Sequence, residues 1–266
     1  MIRSKILDAY AFIFSRRRFN LFNRGLLHAG MRGLGMLNFS SDAASGETHF
    51  LREHLGRLEN PIVFDVGANE GAYTLAVAEA NPRATVYAFE PHPTTYGRLL
   101  SRISDLQGVV AVNSACGNAQ GSLSLFDYAG SEGSSHASVY EEVMQLHGTA
   151  QTGRHTVSVI SLDCFAKQNG VSRIDLLKID TEGHELEVLK GAAGLLRAKR
   201  IGAIQFEFNE MNIVSRVFFK DFRDLLPNYR FHRMVRDGLI PLDPYSPLRC
   251  EFFVFQNIVA LPDATH

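Results

Sequence analysis

Five polar clusters, each placed directly after a short apolar run, hold the groups with which this chain can do chemistry. Asp65 lies in the run Val63-Phe64-Asp65-Val66, two residues before the turn Gly67-Ala68-Asn69-Glu70-Gly71. Glu90 follows Thr85–Phe89, and Asn113 with Ser114 follows Val109–Val112. Asp180, Glu182, His184 and Glu185 crowd into one turn after Ile174–Ile179, while Glu207 and Asn209 stand at the end of Ile201–Phe208. Carboxylates accept hydrogen bonds from hydroxyl and ammonium groups, and a positioned carboxylate or imidazole can take a proton. Glycines let the backbone approach a ligand, and a helix N-terminus leaves N–H groups free for an anion. Charged groups are rarely buried without a partner or a task, so the clustering calls for a site.

Those five runs must be strands for the clusters to meet. From Pro61 onward they alternate with helical segments predicted over Tyr73–Ala80, Tyr96–Ile103, Leu186–Arg197 and Val217–Leu225. That alternation predicts a parallel sheet covered by helices on both faces. In such sheets ligands bind beyond the carboxyl ends of the strands, where strand order reverses, and every cluster falls at such an end. Two final strands are expected over Arg230–Val235 and Phe252–Ala260, joined by a Pro-rich loop from Pro241 to Pro247. Ser122–Tyr128 and Thr156–Leu162 interrupt the pattern as a β-hairpin-like insertion around Gly130–Ser135, read either as a flap over a ligand or as surface decoration.

Residues 1–44 form a basic helical N-terminal extension, and a helix capped by Ser45 then opens the domain of residues 45–266. Arg3, Lys5, Arg16, Arg17, Arg18, Arg24 and Arg32 face only Asp8 and Asp42 there. The segment reads as a weak membrane-surface contact or as a solvated helical face. The 266 residues carry a net charge of −1, against the strongly basic balance of most nucleic-acid-binding domains. Cys116, Cys164 and Cys250 are scattered, with no CxxC or Cys/His cluster for zinc and no disulfide framework. No apolar run is long enough to span a membrane, so a cytoplasmic protein, peripheral to the membrane at most, is expected.

Spacing narrows the ligand. A dinucleotide turn reads G-x-G-x-x-G, whereas Gly67 is followed by Ala68 and Asn69, and no Lys-Ser or Lys-Thr completes a polyphosphate loop. Asp65 beside the turn disfavours a polyphosphate and favours an ammonium group. Glu90, roughly 20 residues past the glycines, stands where a carboxylate takes ribose hydroxyls. A ligand that is amino acid at one end and nucleoside at the other satisfies both, which points to S-adenosylmethionine.

The stretch Phe64 to Tyr73, the triplet Phe89-Glu90-Pro91, the block Leu177-Lys178-Ile179-Asp180-Thr181-Glu182-Gly183-His184-Glu185 and the following Val188-Leu189-Lys190-Gly191-Ala192 resemble the FkbM family of class I methyltransferases. The resemblance runs from about Ser45 to the C-terminus. It implies an α/β Rossmann-like seven-stranded sheet whose last strand is antiparallel, S-adenosylmethionine as methyl donor, and an oxygen acceptor on a sugar or glycan, a lipid-linked saccharide or a secondary metabolite. The candidate cofactor contacts are Asp65, Gly67, Asn69, Gly71, Tyr73, Glu90, Asn113 and Ser114. Asp180 is the leading candidate for general base or acceptor-orienting group, followed by His184 and Glu182, with Glu207 and Asn209 facing acceptor hydroxyls. Glu185 reads as a helix-start charge favoured by the macrodipole. No spacing demands a metal, although Asp180, Glu182 and Glu207 supply oxygen ligands. Neither an Asn/Asp-Pro-Pro-aromatic turn nor a Pro-Cys pair is present, which sets nucleic-acid acceptors aside. A non-catalytic binding module and a dinucleotide-dependent oxidoreductase remain as rival readings.

Overall fold

The computed structural model describes residues 2–39, 42–128, 137–146 and 152–263. The strands are β1 (Ile62–Val66), β2 (Thr85–Phe89), β3 (Val109–Val112), β4 (Ala115–Cys116), β5 (Gly121–Tyr128), β6 (Thr152–Ile160), β7 (Ile174–Ile179), β8 (Ile201–Glu207), β9 (Tyr229–Val235), β10 (Gly238–Pro241) and β11 (Asn257–Pro262). The main sheet runs β10-β9-β11-β8-β7-β1-β2-β3. Strands β3, β2, β1, β7 and β8 pair in parallel, and β11 is antiparallel to both neighbours. The order turns back at β1, flanked by β2 and β7, so the carboxyl ends of β1 and β7 form the switch point.

Eight strands replace the expected seven. Arg236 and Asp237 make a two-residue turn, and Gly238–Pro241 folds back on β9 as a short edge strand. Pro241 ends it, since proline has no N–H to extend a ladder. The last strand begins at Asn257 rather than Phe252. The expected helix over Leu186–Arg197 breaks into Glu185–Lys190 and Ala193–Arg197, the second capped by Asp163, whose carboxylate accepts from Gly194 N at 2.6 Å and Leu195 N at 2.9 Å. Ser161 ends the insertion's second strand at Ile160, because its hydroxyl caps the helix Leu162–Gln168 by accepting from Cys164 N. Gly46, at φ +95°, holds the N-cap expected of Ser45, and the helix behind it covers Glu47–Leu55. The helix expected from Val217 starts at Phe219, where the Glu251 carboxylate accepts from Phe219 N and Lys220 N.

Strand pleating sends alternate residues to opposite faces. Phe64, Phe89, Phe206 and Phe231 fill one layer with Phe165, Phe219 and Phe222 from the covering helices; Val63, Val86, Leu176 and Val259 meet Leu51, Leu55 and Val77 in the other. Strands β4, β6 and β5 form a small second sheet, with β5 and β6 antiparallel from Gly121↔Val159 to Tyr128↔Thr152. The tip around Gly130–Ser135 lies outside the described residues. At the other end, helices Ile2–Phe14 and Asn20–Gly33 lead into a segment fixed to the domain: Leu37 N donates to Phe255 O at 2.8 Å, and Met36 is buried beside Gln256.

Candidate active site

Asp65 shares its face of β1 with Val63, so it points beneath the helix Ala72–Ala80 and not outward from the strand's end. Thr74 Oγ1 donates to Asp65 Oδ2 at 2.6 Å. The parallel register sets Lys178 of β7 opposite Asp65, with its Nζ 3.6 Å from Asp65 Oδ1 and 3.2 Å from Asp180 Oδ2. Burial raises the pKa of Asp65 against the opposing pull of Lys178 and Thr74. For Lys178 burial favours the neutral amine, but Asp180, Asp65, Glu47 and Glu207 together outweigh it and raise the pKa. The ammonium, shared by four carboxylates, is the direction the geometry supports most strongly, since one cation offsets several anions.

Beyond Val66 the chain turns through three left-handed positions, Gly67 (φ +77°), Asn69 (φ +50°) and Gly71 (φ +88°). Gly67 N and Ala68 N donate to Phe89 O at 3.0 and 2.9 Å, tying the turn to the end of β2. Asn69 N then donates to Glu90 Oε2 at 2.9 Å, and His92 N to Glu90 Oε1 at 2.8 Å. A carboxylate offers about four acceptor positions, so both oxygens of Glu90 keep capacity for a ligand. Burial pushes the Glu90 pKa up to about 7 in spite of those two N–H groups.

Two cavities flank this turn. The first holds about 690 Å³ of empty space, counting its mouth; Asn69, Glu90, Ser114, Asp180, Glu182 and His184 supply its polar wall, and Phe89, Pro91, Leu125 and Val139 its apolar wall. The second, about 1450 Å³ on the same measure, is bordered by Asn69, Tyr73, Lys178, Asp180, Glu207 and Glu47, with Asn38, Phe39 and Phe255 at its edge. A third hollow adds Glu182, Asn209 and Phe253 beyond Glu207. Asn69 and Asp180 border all three.

A cleft beside Glu90 that shares Asn69 and Asp180 with an acidic basin agrees with what the chain is similar to. The family model described as "Methyltransferase FkbM domain" matches residues 65–233. The chain belongs to the FkbM methyltransferase family. Methyltransferase sdnD of Sordaria araneosa is 32% identical over 156 residues, covering 50% of this chain and 60% of that protein. Hexuronic acid methyltransferase AglP of Haloferax volcanii is 32% identical over 143 residues, 53% of each chain, and the 2-O-methyltransferase NoeI of Sinorhizobium fredii is 25% identical over 64% of this chain and 72% of its own. The matched region thus spans little more than half the length of the first two relatives.

In this FkbM domain the expected cofactor residues separate into two groups. Gly67, Asn69, Tyr73, Glu90 and Ser114 border the cavities. Asp65 and Gly71 lie behind the turn, and Asn113 spends its amide on Glu90 O and Pro91 O at 2.9 and 3.2 Å. Among the candidates for chemistry, Asp180 borders all three of these cavities, Glu207 only the acidic basin and its extension, and His184 only the first cleft. Burial lowers the His184 pKa, with Glu187 opposing and Lys190 assisting, so the ring is neutral at pH 7. Burial raises that of Glu207 well above the usual carboxylate range, and Asp180 and Glu182 add to it. Glu185 does more than complement a helix dipole: its Oε1 accepts from Thr181 N, Thr181 Oγ1 and Gly183 N at 3.0, 3.1 and 3.0 Å, bracing the turn that carries Asp180 and Glu182. Among the described residues no three His, Cys, Asp or Glu side chains are grouped to hold a metal ion.

Sequence reasoning assigned no task to Lys178 or Glu47. Lys178 is legible as a lone cation in an otherwise apolar strand end. Glu47 has no motif spacing; it arrives through tertiary contact, where Gln205 Nε2 donates to Glu47 Oε1 and Tyr73 OH to Gln205 Oε1, both at 2.7 Å.

The state of Glu90 makes a pH-dependent prediction. Ribose hydroxyls bound at Glu90 would donate to its carboxylate, so affinity for S-adenosylhomocysteine should rise with pH through about 7 as Glu90 ionises. Glu90→Gln should remove that pH dependence and, since hydrogen bonds to a charged group are worth about 1.5–3 kcal/mol, weaken binding about 10- to 100-fold. Calorimetric titration across pH 6–8 (roughly one pH unit either side of that midpoint) reads both; a variant that still tracks pH would remove Glu90 from the ribose contact.

Proposed function

We propose that this chain is an S-adenosylmethionine-dependent O-methyltransferase acting on a hydroxyl of a sugar or glycan, a lipid-linked saccharide or a secondary metabolite. The observation that carries the reading is the position of Asp180, at the junction of the Glu90 cleft and the acidic basin. The residues fit the cofactor: Glu90 retains acceptor positions in the cleft, Gly67 brings backbone into its wall, and the carboxylates beyond the turn suit a cationic group. When bound, S-adenosylmethionine supplies a methyl group already activated on sulfonium sulfur. The protein's tasks are alignment and removal of the acceptor's hydroxyl proton.

Asp180 accepts that proton or orients the hydroxyl that loses it. Lys178 Nζ, 3.2 Å from Asp180 Oδ2, holds that side chain in place at the junction. Glu207, on the same wall of the basin, hydrogen-bonds a second acceptor oxygen. Asn209 Nδ2 stands 3.3 Å from Glu207 Oε2 and fixes that carboxyl. A polyhydroxylated acceptor suits this wall of hydrogen-bonding groups, and the similarity to a hexuronic acid methyltransferase and a 2-O-methyltransferase supports the same class. Near-neutral net charge and acidic cavity walls support a non-nucleic-acid acceptor.

Calorimetry should show tight binding of S-adenosylhomocysteine and none of NAD. The reverse would sink this reading together with that of a non-catalytic module and favour the oxidoreductase. Incubation with methyl-labelled S-adenosylmethionine and fractionated glycans and lipid extracts then tests transfer, and label confined to free cofactor would favour the non-catalytic module.

A further inference from the structure

The N-terminal helices Ile2–Phe14 and Asn20–Gly33 are not absorbed by the cofactor and acceptor cavities. The end of the first meets the start of the second through a small aromatic joint: Phe14 contacts Tyr10, Phe19 and Phe22, and Asn23 Nδ2 donates to Phe14 O at 3.0 Å. No residue from 5 to 34 is buried. Eleven of the sixteen large hydrophobic side chains exposed among the described residues lie between Ile6 and Phe39, including Phe12 at 79%, Leu21 at 80% and Leu27 at 61%. A monomer rarely gathers so many exposed large apolar side chains in one short segment without a use for them.

Charge decides between the coverings this surface could have. Residues 1–33 carry seven cations, Arg3, Lys5, Arg16, Arg17, Arg18, Arg24 and Arg32, against Asp8 alone. A second copy of the helix pair would bring like charges together, whereas an anionic bilayer complements them and accepts the apolar side chains below its headgroups. Neither helix is long and apolar enough to cross a membrane. The attachment point adds direction. After Gly33 the chain is pinned by Leu37 N to Phe255 O, and Asn38 and Phe39 then border the acidic basin. The helix pair therefore leaves the domain at the rim of that basin.

We propose that residues 2–33 are an interfacial anchor that docks on anionic lipid and sets the mouth of the acidic basin at the headgroup level. Docking stands independently of the methyl-transfer reading; its consequence, that acceptors are drawn from the membrane surface as lipid-carried saccharides, rests on that reading.

The test is flotation of the full chain with vesicles of phosphatidylcholine, with and without phosphatidylglycerol, at low and high salt. Wild type should float with the anionic vesicles and be released by salt. The triple variant Phe12→Glu, Leu21→Glu, Leu27→Glu and the triple variant Arg16→Gln, Arg17→Gln, Arg18→Gln should each lose binding by about tenfold or more, since apolar burial and charge both contribute. Both should keep the wild-type melting temperature and affinity for S-adenosylhomocysteine. That affinity reports on the cofactor reading separately, so its absence in wild type leaves the flotation result intact. Wild type that ignores anionic vesicles, or binds neutral ones equally, overturns the proposal. So does light scattering that shows a wild-type dimer made monomeric by the glutamate variant, with vesicle binding unchanged.

Discussion

Gly67→Ala is expected to lower affinity for S-adenosylhomocysteine by two orders of magnitude or more and to destabilise the ligand-free chain. A Cβ at this position would lie 1.7 Å from Asp180 O and 2.8 Å from Asp180 C, and Gly67 sits at φ +77°. The obstruction is backbone and cannot rotate aside. It is also tied down, because Asp180 N donates to Val66 O at 2.9 Å while Gly67 N is held by Phe89 O. Relief therefore requires β1 and β7 to part at the point where cleft and basin meet. The left-handed conformation costs about 1–2 kcal/mol for a residue with a Cβ, and overpacking typically adds 1–3. In a chain of this size about 3 kcal/mol corresponds to a melting temperature lower by roughly 6–12 °C. Gly71→Ala is the internal control: it is also left-handed, at φ +88°, but its nearest obstruction is the flexible Leu99 Cδ1 at 2.7 Å. Thermal unfolding and calorimetric titration should rank Gly67→Ala well below Gly71→Ala. Equal affinities for the two variants would mean that the turn is not the cofactor's cradle.

The arrangement around that turn was only partly readable from residues. Strand–helix alternation identified the main parallel strands, because each is an apolar run closed by polar residues. Their carboxyl ends assembled the clusters of Glu90, Ser114, Asp180 and Glu207 on one side of the sheet. What a linear motif conceals is parity. Asp65 stands beside the glycines in sequence, yet it shares Val63's face and ends up under Thr74; the alternation Val63, Phe64, Asp65, Val66 contained that information. Lys178 follows the same rule one strand away, which is why the two side chains meet. Other parts were hidden for a different reason. Glu47, Asn38 and Phe39 reach the basin through long-range packing on Gln205 and Phe255, and no local spacing encodes such contacts. The eighth strand was legible in principle from Asp237-Gly238, but the prolines that follow made the segment read as loop.

Asp180→Ala should leave cofactor affinity within a few-fold of wild type while methyl transfer falls by about 10²–10⁴, the usual worth of a positioned general base. The side chain is about one-third exposed, at 31%, so its removal opens no sealed cavity. Asp65, 3.6 Å from Lys178, still faces the ammonium and limits the structural cost. Asp180→Asn sharpens the test, since it keeps the shape and an acceptor oxygen for Lys178 but cannot take a proton. If Asp180 is the base, Asn and Ala should be equally slow. If it only orients the acceptor hydroxyl, Asn should recover much of the rate with a raised KM in both variants. His184→Gln separates the remaining candidate: its ring borders the cleft on the Glu90 side and not the acidic basin, so its loss should affect cofactor affinity more than turnover. A His184 variant as slow as Asp180→Ala, with cofactor affinity intact, would move the proton-accepting role to the imidazole. In that outcome the lowered His184 pKa predicts turnover that persists to lower pH than an unperturbed histidine would allow, because the neutral ring is retained as pH falls.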